Sequence, residues 1–182
     1  EMNDDAYEQL AKALDRLPNG FPRTSSNVEI RILKKIFSSE EAFIASRLSG
    51  SMEPVEVIAK RIKLSSEETE KKLVAMTERG LLWNDERRGK PHFRLKPFIV
   101  GIYESQRENM DHELAHLVED YLAHGGAAGI MKPQPAIHRV VPAQNTVKSE
   151  WILPYDNVRE ILMAAKTFRV RKCICRVQQD QI

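Results

Sequence analysis

The sequence has few of the residues that build disulfide scaffolds or membrane spans. Its 182 residues include only two cysteines, eight glycines and 7% aromatic residues. Two cysteines cannot make a disulfide framework, and these two are separated by a single residue, where a structural bridge is unfavourable. Apolar runs stay far below the ~20 residues of a membrane span, and no secretory segment opens the chain. We therefore expect a cytoplasmic protein without membrane spans.

The remaining composition is that of a folded globular chain. Hydrophobic residues make up 42% and charged residues 30% of the sequence, which excludes a disordered tail. The length suits one domain or two small ones. The 28 basic and 26 acidic residues nearly balance, so net charge alone does not indicate a nucleic-acid partner.

The N-terminal region combines one helical pattern with one ambiguous segment. Apolar side chains recur at helical spacing over residues 4–17, which predicts a short amphipathic helix. The turn-forming run Pro18-Asn19-Gly20 ends this helix. The apolar segment that begins at Ile30 fits either a helix or a strand, and both stay open.

Residues 38–95 show the signals of three helices followed by a hairpin. Ser39 is expected to cap the first helix, Pro54 to open the second, and Ser65 or Ser66 to cap the third. Two short strands at 81–83 and 92–95 then flank a charged turn at 85–90. In the order and length of its elements, this span resembles the winged helix-turn-helix superfamily. Such a resemblance implies a fold and leaves the function open.

The C-terminal half predicts one long helix and a small mixed segment. Apolar spacing favours a continuous helix over 98–124 that Gly125 and Gly126 end, two strands at 138–142 and 147–153, and a helix at 158–167 whose side chains at 161, 162 and 165 point inward. The predicted fold class is α+β, mainly α. The predicted divisions are an N-terminal helix and connector (1–27), a winged-helix-like domain (28–97), a long connecting helix with a Gly-rich hinge (98–129) and a small α+β segment (130–182).

The winged-helix pattern raises the question of DNA binding. A recognition helix enters the major groove, and phosphate contacts dominate affinity. Here the first turn of the third helix holds three carboxylates, which repel phosphates. The cations that partly offset them are Lys71, Lys72, Arg87, Arg88 and Lys90. We therefore favour a protein contact or a homodimer over DNA for this domain.

His112-Glu113-Leu114-Ala115-His116 spells the His-Glu-x-x-His motif of zinc peptidases. The spacing places His112 and His116 on one helix face, and Glu113 could act as a base. The extended pattern fails, because Glu119 and Leu122 stand where it needs Gly and His. A distant third ligand, Asp156 or Glu160, stays open. The favoured interpretation is a chance match on a helix surface.

Two cysteines close to the C-terminal end, Cys173 and Cys175, carry the remaining chemistry. Thiolates are soft ligands for zinc or iron–sulfur clusters, and the neighbouring Arg171, Lys172 and Arg176 favour the thiolate form. A cluster needs four ligands. The pair therefore supplies half of such a site or is structural.

The stretch from Ser149 to Arg176 resembles a family of prokaryotic 4Fe–4S ferredoxin-type iron–sulfur proteins. In that family a strand ending in Leu-Pro-Tyr, a helix and a Cys-x-Cys-Arg element precede the cluster motifs, and a winged-helix-like region commonly comes first. Cys173, Cys175 and Arg176 match the element residue by residue. The Cys-rich runs that hold the clusters are absent, which suggests that they follow Ile182.

The resemblance implies that the chain is the non-cluster portion of an electron-transfer or redox protein with a redox protein partner. No enzymatic activity is expected of this portion, and the 4Fe–4S cofactor would be complete only in the longer protein. The alternatives are a redox-responsive transcription regulator, in which the winged helix binds DNA, and a zinc peptidase.

Overall fold

The structure, a computed structural model, describes residues 2–127 and 155–182. The chain divides into two units, one formed by Glu1–Ile137 with Cys173–Ile182 and the other by His138–Lys172. The described residues are mainly helical, with one small three-stranded antiparallel sheet. The predicted strands at 138–142 and 147–153 lie outside the described residues.

Two helices open the first unit. Helix α1 spans Met2–Asp15 and buries Leu10 and Leu14 completely, which confirms the amphipathic helix predicted there. The ambiguous segment that follows the connector is helix α2, Val28–Ile36, because its apolar side chains recur at helical spacing and nearly all are buried.

Helices α3, α4 and α5 span Ser39–Ala45, Val55–Ile62 and Ser66–Glu78. Ser38, one residue before the predicted cap, caps α3 and forms a reciprocal capping box with Glu41. Pro54 precedes α4. Ser65 caps α5 by accepting a hydrogen bond from the N–H of Glu68. The three predicted helices are confirmed: serine side chains cap α3 and α5, and Pro54 comes directly before α4.

Strands β1 (Glu53–Pro54), β2 (Leu82–Arg87) and β3 (Lys90–Leu95) form the sheet in the order β1–β3–β2. The hairpin register pairs Leu82 with Leu95 and Arg87 with Lys90. The predicted charged turn over residues 85–90 is wrong in extent. Only Arg88 and Gly89 form the turn, since both have positive φ angles of 54° and 73°, as a two-residue hairpin turn requires.

The predicted continuous helix over 98–124 is wrong. Ile99 and Val100 have extended backbone angles, a short helix α6 (Tyr103–Ser105) and one further turn (Gln106–Glu108) follow, and helix α7 begins only at His112 and ends at Tyr121. The physical reason is Asp111, whose side chain accepts a hydrogen bond from the N–H of Leu114 and starts a new helix.

The apolar residues on which that prediction rests are nevertheless part of the hydrophobic core. Six of these apolar positions are buried although they lie in different elements: Ile102, Met110, Leu114, Leu117, Val118 and Tyr121. They join the side chains of α1 to α5 in a single hydrophobic core. Gly125, with a φ of 109°, interrupts the helical backbone that continues beyond α7, as predicted for a helix stop.

The described part of the second unit contains helix α8, Tyr155–Ala164. The inward orientation predicted for residues 161 and 162 is wrong, because Ile161 and Leu162 are 54% and 51% exposed. Apolar spacing defines a helix face but does not supply a surface to cover it. The last helix, α9 (Ile174–Gln179), belongs to the first unit, whereas the prediction grouped it with residues 130–172.

Among residues 2–127 and 155–182, no helix is both long enough and apolar enough to span a membrane.

Alanine substitutions at two glycines with nearly the same φ angle but different surroundings test how closely the end of α5 packs. Gly80 has a φ of 76° and Gly89 a φ of 73°; a Cβ on Gly80 would lie 2.3 Å from Cβ of Ser105, whereas one on Gly89 meets nothing within 4 Å. Gly89→Ala should lower the free energy of unfolding by about 1 kcal/mol, the cost of left-handed backbone. Gly80→Ala should cost roughly 1–3 kcal/mol more, because overpacking is added. Urea denaturation measures both, and equal losses would contradict the packing described.

Candidate functional site

Helix α9 places the two cysteines on the surface of the first unit. Ile174 and Gln178, one helical turn apart, are 8% and 3% exposed and attach the helix to the core. Cys173 precedes the helix as its N-cap residue. Both Cys173 and Cys175 are exposed free thiols. The alternation of buried and exposed positions therefore presents the thiols outward from an anchored helix.

Gln178 makes the hydrogen bonds that hold α9 in place. Its side-chain oxygen accepts a hydrogen bond from the hydroxyl of Tyr103. Its amide nitrogen donates to a carboxylate oxygen of Glu119 at 3.1 Å and to the backbone oxygen of Ala115 at 3.4 Å. Burial, with a smaller contribution from the neighbouring Cys175 sulfur, raises the pKa of Tyr103 well above its usual range. Tyr103 is therefore a neutral donor at physiological pH.

The thiol of Cys173 is biased towards the thiolate. The backbone N–H groups of Cys175 and Arg176 lower its pKa, because their hydrogen bonds favour the negatively charged sulfur, and the charge of the Arg176 guanidinium adds to the effect. A thiolate is the form that attacks electrophiles and binds metals. The structure thus brings together the three residues of the predicted motif, Cys173, Cys175 and Arg176, all of them exposed.

Two thiolates are suitable but insufficient ligands for an iron–sulfur cluster. The sulfur donors and their exposure fit the chemistry of such a group. In the part of the chain that the structure describes, no set of three or more His, Cys, Asp or Glu side chains is arranged to hold a metal ion. The sequence contains no third cysteine. Any cluster bound here would need ligands from other residues than these.

The two histidines of the His-Glu-x-x-His motif are brought close together. Their ring centroids lie 4.3 Å apart in an edge-to-face arrangement, on the exposed side of α7. Nδ1 of His112 is hydrogen-bonded to the backbone oxygen of Gln181 at 2.6 Å. Glu113, the base that the motif needs, forms an ion pair with Lys35. The two histidines thus lie beside the end of α9, and the carboxylate of Glu113 is already paired with Lys35.

The exposed side of α5 is acidic, and most of the candidate DNA-binding cations are neutralised within the chain. Lys71 pairs with Glu67 at 2.8 Å, and Lys72 pairs with Glu40 at 2.8 Å. On the hairpin, Arg87 and Lys90 pair with carboxylates of their own chain at 3.3 Å and 3.0 Å. Arg88 lies at the tip of the turn. The cations named from the sequence do not form a free basic patch.

Sequence reasoning missed Tyr103 and Gln178. Their hydrogen bond joins residues separated by 75 positions, and α9 has six residues, too few for a periodic pattern. The only local signal was the spacing of Ile174 and Gln178, which suits one face of a helix.

The lowered pKa of Cys173 can be measured by alkylation. In a Cys175→Ser variant, the rate of reaction with iodoacetamide should rise with pH at a midpoint below the ordinary thiol value of about 8.5, because the helix N–H groups stabilise the thiolate. When the same variant is unfolded in guanidinium chloride, the pH midpoint of the reaction should return to the ordinary thiol value. Identical midpoints for the folded and unfolded chain would contradict the hydrogen bonding described.

No family model, no curated protein and no solved structure matches this chain. The thiol pair on α9, the histidine pair on α7 and the acidic side of α5 are therefore the features from which its function has to be inferred.

Proposed function

We propose that this chain is the non-cluster portion of a 4Fe–4S ferredoxin-type electron-transfer or redox protein. The observation that carries the proposal is the presentation of the Cys173 and Cys175 thiols outward from a helix that Ile174 and Gln178 attach to the core. A structural pair of cysteines would be expected in the interior, where free cysteine is usually found. An exposed pair on an anchored helix suits ligation of a soft metal.

The division of ligands follows from the number of thiols. A 4Fe–4S cluster takes four protein ligands, and Cys173 and Cys175 can supply two. The others would come from further residues of a longer polypeptide or from a partner protein. When bound, the cluster would supply one-electron chemistry. The described residues position two sulfurs, and Arg176 contributes a positive charge beside them.

We propose that residues 28–97 of the first unit form a winged helix. The strand order β1–β3–β2, with β1 between α3 and α4 and the hairpin directly after α5, supports this assignment. In such a fold α5 would be the recognition helix. We propose that it contacts a protein, either a redox partner or a second copy of the chain.

The electrostatics of α5 favour a protein partner over DNA. Glu67, Glu68 and Glu70 in and near its first turn are exposed, and each suits the positive end of its own helix. The same carboxylates repel a phosphate backbone, from which most DNA affinity derives. The ion pairs of Lys71 and Lys72 use the charge that would offset them.

The second candidate is a redox-responsive transcription regulator, which the exposed hairpin tip with Arg88 supports. This function requires retardation of a duplex DNA fragment that weakens steeply as salt rises. The acidic α5 predicts no retardation even at low salt. A zinc peptidase is disfavoured, because Glu113 is paired with Lys35.

Anaerobic reconstitution tests the proposed role of the thiols. The chain is incubated with ferric iron and sulfide, and excess glutathione reduces part of the iron and supplies the missing thiolates. We expect the wild type to bind iron and labile sulfide and to turn brown, whereas a Cys173→Ser, Cys175→Ser variant should bind neither, since serine oxygen is a poor ligand for these clusters.

A His112→Ala, His116→Ala variant serves as the control and should bind as much iron and sulfide as the wild type. Because both thiols are exposed, the double serine variant should retain the circular dichroism of the wild type. Equal uptake of iron and sulfide by the serine variant would overturn the proposal.

A further inference from the structure

A second site is suggested by three arginines that meet where three helices end. Arg16 follows the last residue of α1, Arg47 lies two residues beyond the end of α3, and Arg61 is in the last turn of α4. All three line one cleft with a volume of about 340 Å³, here called the arginine cleft. Convergence from three separate elements distinguishes it from a charged face on a single helix.

Two of the guanidinium groups are held in place by their surroundings. Arg47 lies 3.5 Å from the centroid of the Phe43 ring and donates from Nη1 to the backbone oxygen of Phe43 and to Oγ of Ser46. Arg61 donates to the backbone oxygen of Arg47 at 2.6 Å and to both carboxylate oxygens of Glu53. A ligand that binds Arg47 does not have to order that side chain, which lowers the entropic cost of binding.

The arginine cleft retains positive formal charge after these pairings, and this charge exceeds the partial negative charge of the three helix C-termini. Glu53 balances Arg61. Arg47 uses Nη1 for its hydrogen bonds, which leaves Nη2 and Nε as available donors. Arg16 is exposed and makes no hydrogen bond or ion pair with the described residues. Two guanidinium groups with unused donors therefore flank the cleft.

The size and the lining of the arginine cleft define the class of ligand. Pockets for small molecules begin at roughly 300 Å³, so the cleft suits a small compound. Arginine donors in a fixed fork match the oxygens of a phosphate group. Ala13, Leu17 and Leu48 add apolar lining beside the arginines. We propose that the arginine cleft binds a small phosphomonoester, with its phosphate on Arg16 and Arg47 and its apolar body against Leu17.

This site is independent of the thiol pair, because none of its lining residues belongs to α7 or α9. Titration of the folded chain with phenyl phosphate and with inorganic phosphate, followed by calorimetry, tests the proposal. Phenyl phosphate should bind more tightly, since its ring covers Leu17. Arg16→Gln should weaken the binding of phenyl phosphate about tenfold without affecting the fold, because this side chain has no partner to lose among the described residues.

The matched control is Arg31→Gln, which removes an exposed positive charge from α2 and should leave the affinity unchanged. A duplex oligonucleotide should not displace phenyl phosphate; displacement would assign the arginines to a polynucleotide backbone and overturn the proposal. The proposal is also overturned if phenyl phosphate fails to bind at about 10 mM, a concentration well above a millimolar dissociation constant. It is overturned as well if Arg16→Gln and Arg31→Gln weaken the binding of phenyl phosphate equally.

Discussion

The placement of the thiol pair depends on the buried side chain of Gln178. Its amide accepts from Tyr103 and donates to α7, so it satisfies polar groups on two elements of the core at once. A buried polar group that loses its partner costs roughly 1–3 kcal/mol, which gives α9 one favoured position. Ile174 adds apolar contact on the same face. A helix of six residues is thereby fixed on the surface.

This anchoring separates the structural and chemical roles of one short segment. The buried positions of α9 stabilise its attachment, while Cys173 and Cys175 stay exposed and make no disulfide. The helix N–H groups that lower the pKa of Cys173 act only while the helix is formed. Metal binding proposed for the pair would therefore be coupled to the folding of α9. It would depend on the hydrogen bonds of Gln178 as well as on the cysteines.

The predictions that succeeded depended on signals confined to one or two turns of chain. Capping by Ser65 and the apolar spacing of α3 to α5 are local, and the structure confirms those helices. The long helix failed because burial of Ile102 and Leu114 does not require a continuous backbone between them, and the cap at Asp111 was overlooked. The anchor of the thiol pair joins Tyr103 to Gln178 across the chain, and no single-sequence pattern encodes such a contact. The Cys-x-Cys-Arg motif could be found in the sequence, because residue types and spacing alone define it.

The most direct test of the central claim is the accessibility of the two thiols after anaerobic reconstitution of the chain with iron, sulfide and glutathione. Mass spectrometry after alkylation reports the modification of Cys173 and Cys175 separately, before and after the iron is removed by a chelator. If the thiols bind a cluster, both should resist alkylation until the iron is removed and then react as exposed thiols. Equal rates of alkylation with and without iron would contradict the claim.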